Sequence, residues 1–362
     1  MHKFRPLASY RYNTALVGPD KLASPPAAPR LEDLIKDKDP GYYIYQMSFA
    51  DLTGKRRQVE GIFGILELDL DEPPHPTLNI KTTNLVRHEH IFAHEQTITS
   101  GTEVPSDTID PLVVRPGTGP IWGISVQNML KVQTTHKNPL LASVKDYDGV
   151  VHQVWQITDS SEKQRIATAI DTSQIIIADG HHRFARSLKK LSMSPPGTIV
   201  RLLCFLTDLS TLQAEIRPIH RCFKTRLENT EVLDRLRKHF IVVPYDRPSI
   251  GIYQDLDSLL ILLGTLVLKV KPQEGAGYAN DAILSQAIAR LLEARSTQYI
   301  TDIDKLREKV KMDRTKIGIV TRPVTIDQIR VAALNDMPLP PKSTMFYPKP
   351  LSGLILGDRL NI

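Results

Sequence analysis

The spacing of apolar and polar positions changes twice along the chain. Over the first third it is that of strands and loops. Tyr42-Tyr43-Ile44-Tyr45-Gln46-Met47-Ser48-Phe49 is aromatic and β-rich, and a turn at Asp51-Leu52-Thr53-Gly54 leads into a second strand predicted over 59–68. Gly61 and Gly64 in that strand mark bulges or close approaches of neighbouring chain. Another short strand is predicted over 119–126, and the proline-rich segments 24–30 and 72–76 predict loops.

The middle has the clearest signal. A strand over 151–158 and a helix over 160–170 precede the continuous apolar run 173–179, which reads as a buried strand. Gly180 breaks the run, Phe184, Leu188 and Leu191 then fall at helical spacing, and 198–207 reads as a further buried strand. This strand–turn–helix–strand order is the grammar of an α/β core. The last third predicts an amphipathic helix over 229–240 with Thr230 as its cap, and helices over 280–295, 302–312 and 325–334. An extended proline-rich tail follows over 337–350. The fold class is mixed, α/β or α+β. Three regions are expected: a β-rich 1–150, a strand–turn–helix core 151–225, and a helical or mixed 226–362.

Composition bounds the function. The 362 residues are 41% hydrophobic and 24% charged, which excludes wholesale disorder. The longest apolar stretch, 259–270, is interrupted by Gly264, Thr265 and Lys269, well short of the ~20 apolar residues that a membrane-spanning helix needs. The start of the chain lacks the apolar region of a secretory signal. The only two cysteines, Cys204 and Cys222, cannot form a disulfide framework. The expectation is a cytoplasmic protein with no membrane partner. A net charge of +6 suits an anionic ligand, but the bases are scattered. Their densest cluster, Lys55-Arg56-Arg57, sits beside a predicted hairpin turn, where charge is ordinarily solvated. Nucleic acid is therefore not the expected partner.

The chemistry concentrates at Ala178-Asp179-Gly180-His181-His182-Arg183. A strand feeding a glycine turn and then a helix presents free backbone N–H groups and the positive end of a helix dipole. Cations in a first helical turn are unfavourable by ~0.3–1 kcal/mol each. A bound phosphate would offset the His181, His182 and Arg183 charges and use their donors. The competing reading is that Asp179 caps the helix and pairs with Arg183. Adjacent helical residues point about 100° apart, which disfavours a metal site from His181 and His182.

Three weaker features accompany it. His90 and His94 stand at the i,i+4 spacing of zinc ligands, but the HExxH signature is absent and no zinc is expected. Glu95 reads as a general base or as one charge in a solvated loop. Arg217-Pro218-Ile219-His220-Arg221 places His220 and Arg221 in reach of the same cleft, and Lys342, Ser343 and Thr344 supply a cation and two hydroxyls.

In this order these pieces resemble a single family, the bacterial and archaeal proteins called domain of unknown function 1015. Its Ala-Asp-Gly-His-His-Arg-Tyr segment is matched by residues 178–184 with Phe184 for tyrosine, and its His-Glu-x-Thr by His94 to Thr97. Its Pro-x-His-Arg is matched by Pro218 to Arg221, and its Pro-Pro-Lys-Ser-Thr-x-Phe-Tyr-Pro-Lys by Pro340 to Lys349. The Asp-Gly-His-His-Arg core is similar to that of free serine kinases and, more distantly, to the ParB–sulfiredoxin superfamily. The resemblance implies a ParB/sulfiredoxin-like central core and a small-molecule kinase acting on a hydroxyl such as that of free L-serine, with ATP or ADP and Mg²⁺. It implies Glu95 and Asp179 as catalytic residues. Gly180, His181, His182, Arg183, His220, Arg221, Lys342, Ser343 and Thr344 would bind phosphate, and His94 and Thr97 substrate. A nucleotide-binding or nucleotide-hydrolysing regulator and a ParB-like nucleic-acid binder are the alternatives. The chain also departs from the family. Pro25-Pro26 is followed by Ala27-Ala28 where tyrosine and aspartate are usual, Ala185 replaces an expected glutamate, and an arginine-bearing helix is missing after Thr97. This is a divergent member, with altered specificity or reduced activity if those carboxylates serve the site.

Overall fold

The computed structural model describes residues 2–23, 30–69, 88, 90–97, 119–127, 138–245, 258–273 and 280–357. Residues 24–29 of the loop expected at 24–30, the loop expected at 72–76, Glu89 and residues 98–118 lie outside these residues. The described chain divides into two compact units. Residues 1–93, 97–215 and 348–362 form the first; 94–96 and 216–347 form the second.

The first unit contains β1 (His2–Arg5), β2 (Tyr10–Tyr12), α1 (Pro19–Ala23), β3 (Leu34–Lys36), β4 (Tyr42–Ala50), β5 (Arg56–Leu68), β6 (Ile91–Ala93), β7 (Ile121–Ser125), β8 (Leu140–Lys145) and β9 (Val151–Ile157). These are followed by α2 (Ser160–Asp171), β10 (Ile175–Asp179), α3 (His181–Ser192) and β11 (Val200–Asp208). Its main sheet runs β6-β10-β7-β11-β5-β4-β9-β8, with β1 also on β5. The expected hairpin is β4 and β5, paired antiparallel from Tyr43–Phe63 to Ala50–Arg56. β5 is long enough to serve three partners. Its start pairs with β4, its end from Gly61 pairs with β11, and its last four residues also take β1. Gly64 is one of the close approaches expected there: a Cβ would run into the Phe4 ring.

The mixed α/β class is observed, with one correction to its grammar. β10 and β11 are separated in the sheet by β7, which is antiparallel to β10 and parallel to β11. The strand–turn–helix–strand segment is thus not a parallel crossover between neighbouring strands. The sheet also crosses residue 150, because β4 pairs with β9, so 1–150 and 151–215 share one core. That core packs Ile166 and Ile170 of α2 and Phe184, Leu188 and Leu191 of α3 with Ile175, Ile177, Cys204 and Leu206.

The second unit contains β12 (Glu215–Arg217, beginning one residue earlier), β13 (His220–Lys224), α4 (Asn229–His239), β14 (Phe240–Pro244), β15 (Leu259–Leu263) and β16 (Leu266–Pro272). It continues with α5 (Asp281–Leu291), β17 (Arg295–Ile300), α6 (Ile303–Met312), β18 (Lys316–Val320), α7 (Ile326–Leu334) and β19 (Met345–Tyr347). Its six-stranded sheet runs β14-β16-β15-β18-β13-β17. Two sequence expectations change here. The cap position of α4 is Glu228, so Thr230 lies inside the helix. α5 ends at Leu291, and Arg295 opens a strand after Glu293 takes a left-handed φ of 52°. Asn280, Asp302 and Thr325 cap their helices as their side chains allow, Thr325 in a reciprocal capping box with Gln328. Among the described residues no helix is long and apolar enough to cross a membrane.

Candidate functional site

In the first unit, β10 delivers Asp179 to a turn at Gly180, and α3 begins at His181. Gly180 holds a left-handed φ of 93°, and a Cβ there would lie 3.0 Å from Arg183 Nη2 and from Ile121 Cδ1. Glycine is required on both counts. It also occupies the cap position, so the capping half of the competing reading of Asp179 does not hold: no side chain caps α3, and no acidic residue lies in its first turn. That first turn carries His181, His182 and Arg183, with His181 buried. Asp179 instead faces two cations. Lys349 Nζ donates to its Oδ1 at 2.7 Å, and Arg183 Nη2 to its Oδ2 at 3.4 Å. Burial lowers the pKa of the Arg183 guanidinium, and Asp179 opposes that shift.

Lys349 was not among the residues expected in the site. It is the last residue of the proline-rich tail motif, 170 positions from Asp179, and no local spacing links them. Its ion pair is half exposed on the lysine side. Surface pairs of this kind contribute ~0–1 kcal/mol. Stability therefore gives little reason to gather two cations around one carboxylate.

In the second unit, His94, Glu95, Lys342, Ser343 and Thr344 come together. Glu95 is buried and accepts four hydrogen bonds: Lys342 N to Oε1 at 2.7 Å, and Ser343 N, Thr344 N and Thr344 Oγ1 to Oε2 at 3.0, 3.1 and 3.2 Å. Lys342 has a left-handed φ of 58°, and the three successive N–H groups form a concavity that the carboxylate fills. Burial raises the Glu95 pKa, against the effect of these donors. The flanking chain is tied down as well, Leu339 N donating to His94 O and Gln96 N to Leu339 O. Neither a solvated loop nor a helix is found at 90–95: Ile91–Ala93 is a strand, which removes the one-face premise for His90 and His94 as metal ligands. His94 is buried, its Nε2 2.9 Å from Thr344 Oγ1 and its ring edge-on to Phe346. Because the Thr344 hydroxyl proton goes to Glu95, His94 Nε2–H is the donor to Oγ1. The Ser343 hydroxyl is committed to Pro340 O at 2.5 Å, and Lys342 is exposed. Thr97 is half-buried and belongs to the first unit.

His220 and Arg221, on β13, are both buried in the second unit. Thr321 N donates to His220 Nδ1 at 3.2 Å, and burial, helped by Arg221, lowers the imidazole pKa to about 4. Arg217 stacks on the Tyr347 ring, 3.5 Å from its centroid. Among the described residues no group of three or more His, Cys, Asp or Glu is arranged to hold a metal ion.

Comparison with functionally curated proteins gives no match. Among solved structures, a C-terminally truncated SbnI from Staphylococcus aureus is 12% identical, the match covering 75% of this chain and 84% of that one at a TM-score of 0.42. A variant free serine kinase in complex with ADP is 15% identical over 74% of this chain and 91% of its own, at a TM-score of 0.41. A free serine kinase carrying a different substitution, in complex with AMP, is 14% identical, with coverage of 74% and 91% and a TM-score of 0.41. The sequence motifs gain firmer support from the family comparison: residues 30–299 match the family described as Protein of unknown function (DUF1015), and the chain belongs to it.

Proposed function

We propose that this protein binds a phosphate group, as part of a nucleotide, at the Asp179–Arg183 turn, and that the bound nucleotide serves phosphoryl transfer to a small hydroxyl substrate such as free L-serine. One observation carries the reading: an uncapped helix N-terminus, opened by a left-handed glycine, has His181, His182 and Arg183 in its first turn and Lys349 beside it. Cations there oppose the helix dipole. A phosphate reverses that penalty and takes hydrogen bonds from the same groups. Asp179 is the positioning residue, since it aligns Lys349 and Arg183 and can release either to a ligand oxygen. The transfer itself needs little covalent chemistry from the protein, because positioning and charge neutralisation dominate such reactions.

Two expectations are narrowed. Glu95 is assigned the holding of the 342–344 backbone rather than proton transfer, because four donors already converge on it. Mg²⁺ does not fit as a protein-held ion at the turn, since both Asp179 oxygens already face cations. No step is routed through it. The test is a turnover assay with ATP or ADP, with and without L-serine, beside a binding assay on the same nucleotides. Nucleotide binding with serine-dependent turnover supports the full reading. Binding with acceptor-independent hydrolysis, or without turnover, leaves the nucleotide-binding regulator. Absence of nucleotide binding refutes it.

A further inference from the structure

The second unit buries a guanidinium whose two terminal nitrogens meet no acceptor, and Glu95 supports its charge only through space. Arg221 is 4% exposed, and its Nη1 and Nη2 have no hydrogen-bond partner. Its nearest ring is Tyr299, with the guanidinium carbon 5.8 Å from the centroid. A guanidinium taken out of water without a carboxylate or phosphate against it is costly, and buried arginines are ordinarily paired for that reason. The two unpartnered nitrogens are the ones that form the bidentate fork with a planar or tetrahedral oxyanion.

Arg221 lines a cavity of about 380 Å³. Such a volume lies within the ~300–1,000 Å³ range of small-molecule sites. Around it stand Gln286 and Arg290 from α5 and Thr297 and Tyr299 from β17, which add amide, guanidinium and hydroxyl donors. Its one bordering carboxylate, Glu293, is occupied by Arg235 Nη1 at 2.8 Å and so does not neutralise Arg221. Pro340 and Pro341, which lead into the loop that Glu95 holds, supply an apolar wall.

From this geometry we infer that the cavity is a binding site for a small molecule bearing a carboxylate or phosphate group, with Arg221 gripping the oxyanion through both terminal nitrogens and Arg290 at the rim. The site needs nothing from the 179–183 turn and goes beyond the phosphate reading given for it. Its ligand would be recognised by charge and by the planar fork. Lysine at position 221 would supply the charge without the fork.

The experiment is calorimetric titration of the full chain at constant ionic strength, with inorganic phosphate in one arm and malonate in the other. It is repeated on Arg183→Ala, Arg221→Met and Arg221→Lys. The proposal expects at least one probe to bind Arg183→Ala, which lacks the turn's guanidinium. It expects that binding to fall at least tenfold when Arg221→Met is added, and by a smaller factor with Arg221→Lys. The arm that binds identifies the oxyanion. Arg221→Met also removes a buried guanidinium whose terminal nitrogens lack acceptors, so without anion it should unfold no earlier than the wild type. Binding that survives Arg221→Met, or absence of binding by both probes in Arg183→Ala, overturns the proposal. The phosphate reading of the turn fails separately, if Arg183→Ala leaves nucleotide affinity unchanged.

Discussion

Two carboxylates, Asp179 and Glu95, sit in motifs of similar prominence and are held in opposite ways. Glu95 is buried against three consecutive backbone N–H groups and a hydroxyl, donors that cannot leave without the loop leaving too. Asp179 is partly exposed and faces the ends of two long side chains, Lys349 and Arg183, on a helix N-terminus that has no cap of its own. A carboxylate saturated by backbone is a structural clasp. One that gathers movable cations is an arrangement that an anionic ligand can enter. The same contrast marks the arginines: Arg183 Nη2 donates to a carboxylate, whereas the terminal nitrogens of Arg221 have no acceptor and its side chain lines a cavity.

Breaking the clasp should have the largest effect. Glu95→Ala leaves at least three backbone N–H groups unpaired in or near the interior, at ~1–3 kcal/mol each, so the second unit should lose about 4 kcal/mol in denaturant unfolding. A loss below about 1 kcal/mol would mean that water replaces the carboxylate freely. A second test of the same unit is its acid limb. His220 has a folded pKa near 4, below its unfolded value of about 6.5, so the neutral ring is the stabilising form. That contribution is complete above pH 6.5 and is lost as pH falls toward 4, about 3 kcal/mol in all. His220→Asn keeps an acceptor for Thr321 N and should flatten the limb in a pH series of thermal melts.

The turn is expected to respond less in stability and more in binding. Gly180→Ala forces a residue with a Cβ into φ 93° against Arg183 and Ile121, at a cost of about 1–2 kcal/mol, and should weaken phosphate binding because Arg183 must move. Thr325→Ala, far in sequence from the turn, serves as a control. Losing one capping box costs about 1 kcal/mol in the second unit, with phosphate affinity at the turn unchanged in a parallel titration.

The features read correctly from sequence were those set by neighbours in the chain. The apolar run ending at Ala178, the break at Gly180 and the spacing of Phe184, Leu188 and Leu191 are local, and β10, the turn and α3 follow from them. Asn280, Asp302 and Thr325 are side chains whose own chemistry starts a helix. What was missed is long-range or has no residue signature. The end of α5 passes through left-handed Glu293 with no glycine or proline to mark it. β7 inserts between β10 and β11 from more than 50 residues upstream, which only pairing reveals. Lys342, Ser343 and Thr344 were read as side-chain donors, yet it is chiefly their backbone N–H groups that meet Glu95. Lys349 reaches Asp179 across 170 positions.

If the cations around Asp179 are gathered for a phosphate, a titration with ADP reads their contribution. Affinity is measured for the wild type, Arg183→Ala, Lys349→Ala and the double variant. A charge-assisted contact is worth ~1.5–3 kcal/mol, so each single change should weaken binding about tenfold or more. Because the two cations share one carboxylate, the double variant should differ from the sum of the singles by a measurable coupling. Affinity unchanged in both single variants would contradict the account and leave Lys349, Asp179 and Arg183 as an ordinary surface ion-pair chain.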